Sequence, residues 1–121
     1  MITKGFTDDD IKARLTIMLK SMGFSNDRPD NVYSWWCRCD TEGHILEMFA
    51  MDQLMNNNLL LCDFLTRIIS KIGLTYPLQI DYARYEWRIS IPVLKINKAG
   101  VTLVEVMFLG INEYLIIKNY G

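Results

Sequence analysis

Cys37, Cys39 and His44 stand in one short stretch that holds the sequence's only histidine and two of its three cysteines. These residue types ligate soft metals or act as nucleophile and base. In a β-hairpin, Cys37 and Cys39 point to one face and His44 sits opposite Cys39 across the turn. Asp40, Glu42 or the distant Cys62 would supply a fourth zinc ligand. Structural zinc sites pair two regular Cys or His knuckles, however, and this chain has one irregular pair. Free cysteine also packs as a small hydrophobe, so packing is the expected role and no metal or other cofactor is expected. Thiol catalysis needs a thiolate beside a base that a third group orients. Here every partner lies on one local turn, with no walled pocket.

A second constellation is Tyr82-Ala83-Arg84-Tyr85-Glu86-Trp87-Arg88. Its interleaved aromatic and basic residues resemble, in composition only, a surface on which bases stack. Arg84, Tyr85, Trp87 and Arg88, with Lys95 and Lys98, would carry such binding. Yet Tyr85 and Trp87 alternate into Ile89 and Ile91, which marks the core face of a strand. Arg84, Glu86 and Arg88 then form a solvated face whose charges partly cancel. Nucleic acid is accordingly not the expected partner.

The third constellation is apolar. Trp35 and Trp36 are consecutive, so in a strand they point to opposite faces and cannot both enter one thin core. Met48, Met51 and Met55 lie nearby, among seven methionines in the chain. Methionine adapts its shape and is frequent on surfaces that bind proteins, and an exposed tryptophan is a common interface anchor. Trp35, Trp36, Met48 and Met51 are therefore the expected partner-binding residues.

The totals narrow the class. A length of 121 residues fits a single domain over 1–121, which buries roughly two-thirds of its unfolded surface. Half the residues are hydrophobic and 22% are charged, as in ordinary globular chains, and the net charge of −1 lacks the basic excess of a general nucleic-acid binder. The opening MITKGFTDDD has no apolar leader, and the odd cysteine count favours reduced thiols, so a cytoplasmic setting is expected. No apolar run approaches the roughly 20 residues of a membrane-spanning helix. Asp8-Asp9-Asp10 suit a helix start, and Asp27/Asp30 and Asp40/Glu42 suit turns better than acid–base work. Phosphate-loop, serine-elbow and zinc-helix motifs are missing, which argues against an enzyme.

Elements that would position these residues follow from periodicity. Thr7 caps a helix over 8–22, with Ile11, Leu15, Met18, Leu19 and Met22 on one stripe and Gly23 as its stop. Val32–Met51 reads as a hairpin turning at Asp40-Thr41-Glu42-Gly43, with two helical pieces as the rival. A second helix spans 57–72, or starts at Asp52. Leu78, Ile80 and Tyr82, then Tyr85, Trp87, Ile89 and Ile91, alternate out of phase, which puts a tight turn or bulge near Ala83-Arg84. Pro92 ends that strand. Asn97–Gly100 reads as a turn, Val101–Leu109 as a central strand, Gly110–Glu113 as another turn and Tyr114–Lys118 as a last strand. The expected fold is α+β: a two-layer sandwich in the order α-β-β-α-β-β-β(-β). Its antiparallel sheet has about five or six strands, with two helices on one face. The expected function is a small non-enzymatic protein-binding module of the inhibitor, adaptor or small-chaperone kind, with a second copy of itself, as a homodimer, among the candidate partners. Alternatives are a single-stranded nucleic-acid binder using the Tyr/Trp/Arg strand and a small cysteine- or metal-dependent enzyme.

Overall fold

Thr7 opens the first helix with a reciprocal cap. Its hydroxyl accepts from the Asp10 amide and its own amide donates to the Asp10 carboxylate, both at 3.1 Å. Helix α1 (Asp8–Ser21) buries Ile11, Leu15, Met18 and Leu19. At its end Gly23, with φ +87°, lets the Gly23 and Phe24 amides turn back to the carbonyls of Lys20 and Leu19. The computed structural model describes residues 5–119. Met1–Lys4, part of the opening stretch read for a leader, lie outside the described residues, as do Tyr120 and Gly121.

Strands β1 (Trp35–Cys39) and β2 (Ile45–Ala50) form the expected hairpin, with Gly43 at φ +87° in its turn. The register pairs Trp36 with Phe49, Cys37 with Met48 and Arg38 with Glu47, then slips so that Cys39 faces Ile45 and Leu46 is the extra residue of a bulge. Helices α2 (Met51–Asn56) and α3 (Asn58–Gly73) follow. They are separate because Asn57 adopts an extended conformation and uses its side chain to cap the Leu60 amide at 3.1 Å.

Strands β3 (Gln79–Ala83), β4 (Glu86–Ile91) and β5 (Ile96–Gly100) form a second antiparallel sheet. The phase slip near Ala83-Arg84 is a two-residue turn: Ala83 pairs with Glu86, while Arg84 and Tyr85 have φ of 55° and 64°. Such a type I′ geometry favours Asn-Gly, so both residues sit in a strained left-handed conformation. Tyr85→Gly is expected to raise stability by about 1 kcal/mol. The readout is the urea midpoint, and a lower midpoint would contradict the turn geometry. Pro92 ends β4 as expected, opening a 3-10 turn (Pro92–Leu94) that closes with Lys95 at φ 57°.

Four expectations fail together at the C-terminus. Asn97–Gly100 is strand β5 rather than a turn, because the chain has already reversed at Pro92–Lys95. Val101–Leu109 and Tyr114–Lys118 are not strands, and Gly110–Glu113 is not a turn. Leu103–Ile117 is one helix, α4, whose first turn Thr102 caps through the Glu105 amide at 3.1 Å. An apolar run with two greasy faces fits a buried helix as well as a central strand, and the central Gly110 disguised its length. Gly110 serves close approach: a Cβ there would lie 2.9 Å from the Cγ2 and Cδ1 atoms of buried Ile89 on β4.

The α+β class therefore holds, but the single sheet of five or six strands does not. There are two sheets, of two and three strands, and four α-helices among the described residues. Without the two C-terminal strands no strand among the described residues bridges the hairpin to β3–β5, and the outer side of β1 meets Ser25 in an isolated bridge. Helix α4 touches α1 and α3 as well as β4 and β5, so it lies at the centre of one shared core. Lys98 on β5 and Glu113 on α4 approach to 3.8 Å beside it.

Candidate functional site

Alternation along β1 and β2 gives the hairpin two chemically distinct faces. The inner face carries Trp36 and Phe49, and Phe49, Phe24 and Phe64 form a ring cluster with centroids 5.5–6.2 Å apart. Beyond it lies the charged part of the anchor. Glu47 Oε1 accepts from Arg38 Nε and Nη2 at 3.0 and 2.7 Å. Both Glu47 oxygens also accept from Arg67 of α3, at 2.5 and 2.6 Å. The Arg67 hydrogen bonds, followed by those of Arg38, hold the Glu47 carboxyl below the usual glutamate range against the opposing effect of burial. This fork-to-fork pairing fixes both the tilt and the register of the hairpin on α3.

The outer face holds Trp35, Cys37, Cys39 and Met48, with Ile45 and Leu46 at the bulge. Trp35 is 47% exposed and Met48 41%, and Ile45 and Leu46 are more than half exposed. None of these six residues is an Asp, Glu, Lys, Arg or His.

Of the four residues expected to bind a partner, the fold separates two from the others. Trp36 and Met51, each 1% exposed, belong to the core, so they are not available as surface contacts. Trp36 points inward by strand alternation, and Met51 is the first residue of α2 rather than the end of the hairpin. Trp35 and Met48 lie on the outer face. Sequence reasoning missed Ile45 and Leu46, although counting back two residues from Met48 points to Leu46. It also missed the Glu47–Arg67 pair, for which separation along the chain leaves no local signal.

Cys37, Cys39 and His44 are not brought together. The bulge places Ile45 across from Cys39, and Asp40 instead takes the histidine: His44 Nδ1 lies 3.1 Å from Asp40 Oδ2, while the His44 amide donates to Oδ1 at 2.9 Å. That backbone bond leads the contacts that hold the Asp40 carboxyl below the usual aspartate range. Among the described residues no group of three His, Cys, Asp or Glu is placed to hold a metal ion. Clefts of 100, 280 and 270 Å³ lie elsewhere, and their linings include neither the cysteines nor His44.

The residues weighed for nucleic-acid binding are also divided. Tyr85 is 89% exposed at the turn, but Trp87 is half-buried on the inner face with its ring centroid 5.0 Å from that of Tyr82. Arg88 bonds Glu86 at 2.9 Å and Asn97 at 2.8 Å, so much of its charge is neutralised. Arg84, Lys95 and Lys98 do not share one face: Arg84 and Lys95 sit in turns at opposite ends of β4, and Lys98 approaches Glu113 on the inner face. Among the described residues no helix is long and apolar enough to cross a membrane.

Compared with protein-family models, with curated proteins and with solved structures, the chain matches none.

Proposed function

We propose that this protein is a non-enzymatic binding module that docks a protein partner on the outer face of the β1–β2 hairpin. One observation carries the reading: the hairpin is anchored by Trp36, Phe49 and Glu47 on its inner side while it presents Trp35, Leu46 and Met48 to solvent on the other. A rigidly held aromatic and methionine face loses little conformational entropy on binding, which suits an interface anchor. The uncharged character of the face favours a protein over a nucleic acid, whose binding rests on free cations.

A photocrosslinking amino acid placed at Trp35 in the native host tests this. The expected result is a discrete covalent adduct of defined mass at position 35. The same probe at Tyr85, exposed on the other sheet, should give only scattered background. Equal background at both positions would overturn the reading.

A further inference from the structure

The hairpin's outer face ends at an open edge. Cys37 uses both its amide and its carbonyl on Ser25, at 2.8 and 2.9 Å, on the side of β1 away from β2. In an antiparallel ladder, the residue facing Cys37 must then be in a non-hydrogen-bonded pair. That residue is Met48. Its amide and carbonyl consequently point away from β1, off the free edge of β2. Leu46, the extra residue at the bulge, adds further backbone that the ladder leaves unpaired. Ala50 closes the far end of this edge by donating its amide to Gln53 Oε1 at 3.0 Å.

Exposed strand edges are usually protected by a charge, a proline or a covering element. β2 (ILEMFA) has no proline and no lysine. Its one charge, Glu47, faces inward and is matched by Arg38 and Arg67. Both edges of the second sheet differ: β3 carries Asp81 and Gln79 on its polar face, and β5 carries Asn97 and Lys98. Among the described residues, edge protection is therefore missing at β2, the edge that borders the apolar face.

Resting on the docking reading above, we infer that the partner is a second copy of this chain, joined by antiparallel pairing of β2 with the second copy's β2. A two-fold interface brings the same patch against itself, so it must be self-complementary. An apolar patch without charge meets that condition because no like charges are brought together. Two antiparallel copies of β2 supply each other's missing donors and acceptors at Met48. They merge the two hairpins into one four-stranded sheet, with Trp35, Leu46 and Met48 of both copies on a continuous face.

Sedimentation velocity on the purified full chain over a wide concentration range tests the inference. Met48→Lys adds a charge to the edge, and Met48→Pro removes its outward amide without touching the β1–β2 ladder. Tyr85→Ala on the other sheet is the control. Wild type and Tyr85→Ala are expected to dimerise reversibly. Both Met48 variants should weaken association by at least roughly thirtyfold, the size of an interface hot spot, and keep the wild-type far-UV spectrum. If the proline variant unfolds, Met48→Lys decides alone. A wild-type chain that stays monomeric overturns the inference, as does a dimer indifferent to Met48→Lys. A monomer that still gives a Trp35 adduct with a different protein removes the second copy as occupant and leaves the docking reading intact. A monomer with no Trp35 adduct removes both.

Discussion

Trp36→Ala is expected to lower the stability of this fold by about 3–5 kcal/mol, and Trp35→Ala, one residue away, by about 1 kcal/mol or less. The two side chains are identical and differ only in the face they occupy. Trp36 is 1% exposed and its cross-strand neighbour is Phe49, so truncation removes a large apolar surface and leaves a cavity that fixed aromatic rings cannot refill. Trp35 is 47% exposed and faces Ala50, where water fills the space left by truncation. Urea denaturation of both variants, fitted with a common slope, measures the contrast. Because shifting a strand by one residue exchanges its faces, equal losses would mean that the hairpin register is wrong. On the proposed function the ranking reverses for association: Trp35→Ala abolishes it.

Glu47→Gln is expected to cost about 2 kcal/mol at neutral pH. One carboxylate there takes hydrogen bonds from two guanidinium groups, and its side chain is three-quarters buried between the hairpin and α3. An amide of the same shape keeps the packing but removes the carboxylate that both partly desolvated guanidinium groups share, with Asp63 left as a weaker electrostatic neighbour of Arg67. The sign of the pH dependence follows from linkage. The Glu47 carboxyl is held below its usual range in the folded protein, chiefly by the Arg67 hydrogen bonds, so the folded state binds its proton less readily than the unfolded chain. The stabilisation is complete above the unfolded value. It is lost as pH falls through the folded one, from about pH 5 downward. Arg67 is shifted upward by the same pair and stays protonated throughout this window. Wild type and Glu47→Gln should therefore converge in stability as pH falls. The carboxylates of Asp10 and Asp40 are also held low, so both proteins weaken in acid, and the difference between them isolates Glu47. A difference that stays constant down to acid pH would show that the pair contributes packing alone.

Legibility of the sequence varied with how local each element is. Helix α1 is specified by a cap, a stripe and a Gly stop that all lie within its own length, and the structure places it at Asp8–Ser21. The hairpin turn at Gly43 and the break at Pro92 are equally local. Helix α4 is the opposite case. Val106, Met107, Phe108, Gly110 and Ile111 are all buried where α4 packs against α1, α3, β4 and β5, and such a run of consecutive apolar residues carries no period that separates helix from strand. Gly110 looked like a turn residue because the reason for it is on another element: Ile89 leaves no room for a Cβ.

The candidate site divides in the same way. Consecutive tryptophans in a strand dictate opposite faces, and that much followed from the sequence alone. Which of them is buried was decided by the cluster of Phe24, Phe49 and Phe64 that Trp36 accompanies on the inner face. The convergence of Cys37, Cys39 and His44 depended on an unbroken register, and a single bulge at Leu46 redirected His44 to Asp40. Arg67 is distant in sequence from its partner Glu47, and only the docking of the hairpin on α3 brings the pair together. By itself the sequence determined the α+β class, the first helix, the hairpin and the two-faced character of Trp35 and Trp36, because caps, turns and alternation act over a few neighbouring residues. Tertiary structure alone decided the central helix, the split into two sheets and the open β2 edge, because each depends on what packs against a segment from elsewhere in the chain.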